Sequence, residues 1–270
     1  MQRYLVVFLL YIILSMFVGC KTLPTYNDVV PVHDSLSIIS VKLNEKRVIN
    51  VWTPPQYKAG FGTFPVLYMA DGGVREDFPH LANTLSELIA KGEIPPYILV
   101  GIENTQRRRD LTGPTEVEAD KKIAPIVGGS KAFGDFIQFE LFPEINQRYR
   151  TNSHRAIIGE SLAGLFVLET CMTRTEMFDT YIAFDPSLWW NKHSLVDNAK
   201  DMLTNLPKKE IKLWYAGSNT KDINTYTRQL SLILQKDRPD NLIWKYSDEK
   251  KEKHNTIFRA TKVKALIWAL

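Results

Sequence analysis

The sequence predicts an α/β fold: a mostly parallel central sheet, helices on both faces, and an antiparallel hairpin at the N-terminal end. Three observations predict it. Short apolar runs alternate with stretches of helical periodicity from residue 36 to the end of the chain. Runs such as FPVLYMA (64–70), PYILVGI (96–102) and IKLWYAG (211–217) are apolar nearly throughout, as strands buried on both faces are. The first two runs, LSIISVKL (36–43) and RVINVWTP (47–54), flank Asn44-Glu45-Lys46 and read as a hairpin.

The elements follow in order. Residues 1–20 are a targeting segment. Arg3 is its single charge, and LVVFLLYIILSMFVGC runs apolar to Cys20. That core has the size of a secretory apolar region and is short for a membrane span of ~20 residues. Phe17-Val18-Gly19-Cys20 resembles a bacterial lipobox, with Phe17 in place of the usual Leu or Val. It predicts lipidation of Cys20; the alternative is an uncleaved N-terminal anchor. Both place the rest of the chain outside the cytoplasm and held at a membrane. Residues 21–35 read as a tether, and 36–270 as one domain.

Within that domain, FPVLYMA stops at Asp71-Gly72-Gly73, and a helix is expected over about 79–91. PYILVGI leads into a polar loop, 103–127. A helix over 132–149 precedes the strand HRAIIG (154–159) and the helix LAGLFVLETCM (162–172). YIAF (181–184), IKLWYAG and NLIWKYS (241–247) complete the strands. Helices near 194–206, 221–236 and 255–268 lie between or after them.

Composition excludes several classes. The 270 residues carry 34 Lys+Arg against 30 Asp+Glu, and no basic block exceeds Arg107-Arg108-Arg109, which leaves no nucleic-acid footprint. Charged residues at 24% and apolar residues at 44% exclude wholesale disorder. Two cysteines make no disulfide scaffold, and their spacing fits no zinc motif. With Cys20 lipidated, Cys171 stands alone as a small buried hydrophobe.

Ligands of open α/β sheets bind at the carboxyl ends of the strands. The most informative residues there are Gly159-Glu160-Ser161-Leu162-Ala163-Gly164, directly after AIIG and directly before an apolar helix. This is the strand–turn–helix setting of a nucleophile elbow, with the positive end of the helix at the serine. The tight turn needs small flanking residues; Gly159 is one and Ala163, in place of the usual glycine, the other. A second match, Gly128-Gly129-Ser130-Lys131-Ala132, follows IAPIV, whose Pro125 spoils a central strand, so Ser130 reads as a helix cap.

A nucleophilic serine needs a base, in the order serine, acid, histidine. Of five histidines, only His254 comes after the last strand and before a helix. Asp222, after the strand ending at Gly217, is the favoured acid; Asp185, at the end of YIAF, is the alternative. Backbone donors for a tetrahedral intermediate are expected from Leu162 and from Gly73.

Together these pieces resemble the esterase family of the α/β-hydrolase superfamily that includes esterase D, the enterobactin (siderophore) esterases, feruloyl esterases and mycolyltransferases. The resemblance spans about 41–270. It rests on PVLYMADGG (65–73), VGIENTQRRRDLTGP (100–114), GGSKAFGDFIQFELFPEINQRYRTN (128–152), GESLAGLF (159–166), DPSLWW (185–190) and EKHNTIF (252–258). It implies Ser161 as nucleophile, His254 as base, an acid after the strand ending at Gly217, and an oxyanion donor just after Asp71-Gly72. Three departures stand out. Ala163 replaces a glycine, Asp185 stands where many relatives have serine, and Asn255 follows the histidine where glycine is frequent. Arg107 and Arg109 match recurring arginines in a loop that the resemblance places near the site mouth, and imply an anion clamp. Trp189 and Trp190 could wall an aromatic or sugar subsite.

The sequence therefore reads as a serine carboxylic-ester hydrolase of the cell envelope, acting on a small-molecule ester with no metal or organic cofactor. Its rivals are an acyltransferase on the same chemistry and a catalytically silent binding protein.

Overall fold

A computed structural model of the chain describes residues 28–60, 62–123 and 126–270. Cys20 and the targeting segment lie outside the described residues. No helix among the described residues is long and apolar enough to cross a membrane.

Eight strands form one sheet: β1 Asp34–Ser40, β2 Glu45–Trp52, β3 Phe64–Ala70, β4 Ile98–Ile102, β5 Thr151–Glu160, β6 Thr180–Phe184, β7 Ile211–Ser218 and β8 Leu242–Glu249. The order across it is β1-β2-β4-β3-β5-β6-β7-β8. β1 pairs antiparallel with β2, and β2 with β4; all other neighbours are parallel.

The helices are α1 Pro55–Ala59, α2 Phe78–Ala90, α3 Arg107–Asp110, α4 Glu118–Ile123, α5 Ser130–Phe136, α6 Phe142–Arg148, α7 Leu162–Thr173, α8 Trp190–Asp197, α9 Ala199–Thr204, α10 Lys221–Asp237 and α11 Ile257–Ala269.

Each central strand buries both faces because successive side chains point to opposite sides. In β3, Val66, Tyr68 and Ala70 join a core that also holds Phe133, Phe136 and the α7 residues Leu165, Phe166 and Leu168. Leu67 and Met69 face the other core, with Leu81 and Leu85 of α2 and Leu266 of α11. Full burial of one such side chain contributes about 1.5–3 kcal/mol. α7 is apolar nearly all round, with ten buried residues, so it can only sit against the sheet as a covered helix.

Four local differences from expectation have physical causes. The hairpin turn falls at 41–44, before the expected Asn44-Glu45-Lys46, and Ser40 pairs with Glu45. Glu140 stabilises that turn, accepting from the Ser40 hydroxyl and from the N–H groups of Val41 and Lys42. The expected helix over 132–149 carries a π turn at Ile137–Leu141, just before Pro143, which has no N–H to continue the ladder. The polar loop 103–127 contains the two short helices α3 and α4. The stretch expected to be a tether over 21–35 is packed on the domain at its described end: β1 starts at Asp34, and Asp28 is ion-paired with Arg259 at 2.6 Å.

Candidate active site

Ser161 sits between β5 and α7 with φ 60° and ψ −120°, a conformation that costs a non-glycine residue of order 1–3 kcal/mol. The surroundings over-determine it. Ser161 N–H donates to the Phe184 carbonyl at 2.9 Å, and its own carbonyl accepts from Leu165 and Ser187. A methyl on Gly159 would lie 2.8 Å from the Ala163 Cβ and 2.6 Å from its carbonyl carbon. Glycine is therefore required at 159, and with it in place the alanine at 163 fits.

His254 lies between β8 and α11. Its Nε2 is 3.1 Å from Ser161 Oγ, and its Nδ1 is 3.0 Å from Asp185 Oδ2. With Nδ1 protonated and donating to the carboxylate, Nε2 turns its lone pair to the serine hydroxyl. Asp185 is fully buried and has φ 41°. It accepts from Ser218 N–H at 2.5 Å and Ser218 Oγ at 2.7 Å.

The favoured acid of the sequence reading, Asp222, is not at the site. It lies exposed in the first turn of α10, and Asp185 holds the histidine instead. The sheet register explains this. Glu160 of β5 pairs with Phe184 of β6, so the residues that follow, Ser161 and Asp185, leave adjacent strand ends side by side. The end of β7 contributes Ser218, a donor the sequence reading missed, before the chain turns away at Asn219-Thr220. Ser187 was also missed; its Oγ is 3.4 Å from that of Ser161.

The loop after β3 faces the elbow from the neighbouring strand. Gly72 packs on β4 so closely that a methyl on it would lie 2.3 Å from Gly101 Cα. Gly73, the expected second backbone donor, gives its N–H to Glu76 Oε2 at 2.6 Å. The other Glu76 oxygen accepts from Asn104 at 2.7 Å. Burial holds the Glu76 carboxyl above the usual carboxylate range despite those hydrogen bonds. Leu162 opens α7, and the first N–H groups of a helix have no intrahelical acceptor.

Of the two arginines expected to clamp an anion, Arg109 points elsewhere. It pairs with Glu45 at 2.8 Å and Asp110 at 2.6 Å. The same cluster holds Arg47, fully buried against Asp110 at 2.6 Å and beneath the Phe133 ring. Arg107 is near the site, with Nε and Nη2 on the two Asp71 oxygens at 2.5 and 2.7 Å. Trp190 is buried and donates its indole N–H to the Gly113 carbonyl at 3.1 Å. It lines a cavity of about 190 Å³ with Leu165, one turn beyond Ser161, and Glu169. Trp189 is half-buried beside it. Ser130, the rejected alternative, is buried as the first residue of α5 and bonds Glu169 rather than capping the helix.

Glu160, next to the serine, is a further carboxyl that the sequence reading passed over. Among the described residues its Oε1 is buried without a hydrogen-bond partner. Burial, with Asp77, Asp185 and Asp71 nearby, pushes its carboxyl up to about 8 against the opposing pull of Arg107.

A family model described as "Putative esterase" matches residues 40–268. The chain is 32% identical over 191 residues to the ferri-bacillibactin esterase BesA of Bacillus subtilis, covering 62% of each protein. It is 33% identical over 159 residues to the siderophore triacetylfusarinine C esterase of Aspergillus fumigatus, covering 53% of this chain and 51% of that protein. The match thus spans less than two thirds of either relative's length. Among solved structures, an IroE-like serine hydrolase from Shewanella oneidensis superposes with a TM-score of 0.78 at 26% identity, covering 88% of this chain and 79% of that one.

Proposed function

We propose that this chain, which belongs to the putative esterase family of the α/β-hydrolase superfamily, is a serine hydrolase of carboxylic esters and that its substrates are siderophore esters. The observation that carries the reading is the row Asp185–His254–Ser161, hydrogen-bonded at 3.0 and 3.1 Å at the carboxyl ends of the strands. The substrate class rests on the two relatives, one named a ferri-bacillibactin esterase and the other a siderophore esterase.

Ser161 Oγ attacks the ester carbonyl while His254 Nε2 takes its proton. Asp185 holds the tautomer and stabilises the imidazolium. The Leu162 N–H receives the developing oxyanion, and the Gly73 N–H joins it once the Glu76 carboxyl, which accepts from it in this structure, turns away. His254 then protonates the leaving alcohol. Water, activated by the same imidazole, cleaves the acyl-serine and restores the hydroxyl. Trp189 supplies an aromatic wall at the mouth. Lipidation at Cys20 would hold the domain in the cell envelope.

The test combines fluorophosphonate labelling with hydrolysis of a ferric triester-lactone siderophore, a feruloyl ester and an acetyl ester. Labelling is expected in the parent and in Ser130→Ala, and lost in Ser161→Ala, with the siderophore cleaved fastest. An unlabelled but folded parent would overturn the hydrolase reading. Faster cleavage of the feruloyl ester would overturn the substrate class.

A further inference from the structure

The two proposed oxyanion donors hang from opposite sides of the β3–β5 pair. The loop carrying Gly73 is bonded toward β4: Gly72 N–H donates to the Ile102 carbonyl, and the Asn50 amide donates to the Gly72 carbonyl. The elbow carrying Leu162 is bonded toward β6, through Phe184 and Ser187. Arg107 bridges the two. Its fork grips both oxygens of Asp71, a residue held at φ 58° where β3 ends and the Gly72-Gly73 turn begins. Its Nη2 also donates to the Glu160 carbonyl at 3.3 Å, one peptide before Ser161.

We propose that Arg107 is a positioning residue that fixes the Gly73 donor relative to the elbow by gripping Asp71 and the Glu160 carbonyl together. This inference rests on the serine-esterase reading above. A planar guanidinium suits this role, because its bidentate grip sets the angle of Asp71 as well as its distance. It also neutralises Asp71, whose carboxylate would otherwise repel the oxyanion that forms beside it. Asn104 braces the same loop, donating to Asp71 at 2.6 Å and to Glu76 at 2.7 Å. A lysine keeps the charge but loses the fork, so charge and geometry can be told apart.

The experiment measures kcat and KM on a small neutral ester, p-nitrophenyl acetate, and affinity for a phenylboronic acid, which forms a tetrahedral adduct with an activated serine. The variants are Arg107→Lys, Arg107→Gln, Asp71→Asn and the Arg107→Gln/Asp71→Asn pair, with exposed Arg108→Gln as control. The expected result is a kcat loss on the order of 10²-fold in Arg107→Gln with KM little changed, and a parallel loss of boronate affinity. Arg107→Lys should recover only part of it. Asp71→Asn keeps a residue that tolerates positive φ, so it reports on the grip even where Arg107→Gln folds poorly, and should lose kcat in the same way. The pair should lose little more than the worse single variant. Turnover of the neutral ester within threefold of the parent in both Arg107→Gln and Asp71→Asn would overturn the proposal, and so would fully additive losses. An inactive parent would instead sink the esterase reading itself.

Discussion

Glu45 and Glu160 are both partly buried beside the same sheet, and they meet opposite electrostatic surroundings. For Glu45, burial alone would raise the carboxyl, but Arg109, Thr105 and Arg47 outweigh it and hold the group down to about 2. For Glu160, burial and three neighbouring aspartates push the carboxyl up to about 8, and Arg107 offsets only part of this. The first cluster contains two arginines, a buried aspartate and stacked phenylalanines, and its ion pairs do not involve the serine. The second borders Ser161, where the guanidinium that could have paired Glu160 is turned to Asp71. The contrast shows where this fold neutralises its acids. In the Glu45 cluster the charges are matched; beside the serine the arginine goes to loop geometry, and among the described residues the Glu160 Oε1 is left without a hydrogen-bond partner.

The largest effect separates the acid that orients the histidine from an acid that does not. Asp185→Asn should lower turnover by about 10³–10⁴-fold, because an amide presents a donor where His254 Nδ1–H needs an acceptor. Asp222→Asn, on the exposed first turn of α10, should stay within about threefold. The reverse order would return the acid to Asp222. Asp110→Ala probes the matched cluster and should invert the pattern. It strips a buried partner from Arg47 and should cost about 3–5 kcal/mol of stability. Turnover per folded molecule should be unchanged. Urea unfolding read beside kcat checks both halves; a loss of kcat without a loss of stability would break the contrast.

Much of this was legible in the sequence, and the exceptions share a cause. All eight strands and the main helices follow from apolar runs and periodicity; in the inner strands, burial on two faces leaves a direct compositional trace. Ser161 and His254 follow from strand–turn–helix context and chain order. Asp185 could not be chosen over Asp222, because the choice depends on which strand end lies beside the elbow, and that is a property of sheet register. Arg109 matched a recurring motif, yet its place along α3, two residues beyond Arg107, turns it away from Asp71 and sends it to Glu45. The roles of Ser218, Glu76 and Glu160 depend on contacts between loops far apart in sequence, which no local pattern encodes.

The effect least visible in turnover approaches the same contrast from the side of the Glu160 carboxyl. A carboxyl raised to about 8 in the folded chain, from an ordinary value of 4.5, makes the folded state hold a proton that the unfolded state has released. Stability contributed by this group therefore falls as pH rises between those two values, by at most about 1.4 kcal/mol per pH unit. Glu160→Gln keeps the size and the neutral form and removes the titration. The variant and the parent should unfold alike near pH 4, and the variant should be the more stable by pH 8. Ester turnover at pH 7 should change little, since the parent side chain is already mostly protonated there. Urea midpoints at several pH values decide it. A parent that gains stability relative to Glu160→Gln as pH rises would mean that Arg107 pairs this carboxylate after all, and the contrast with Glu45 would be lost.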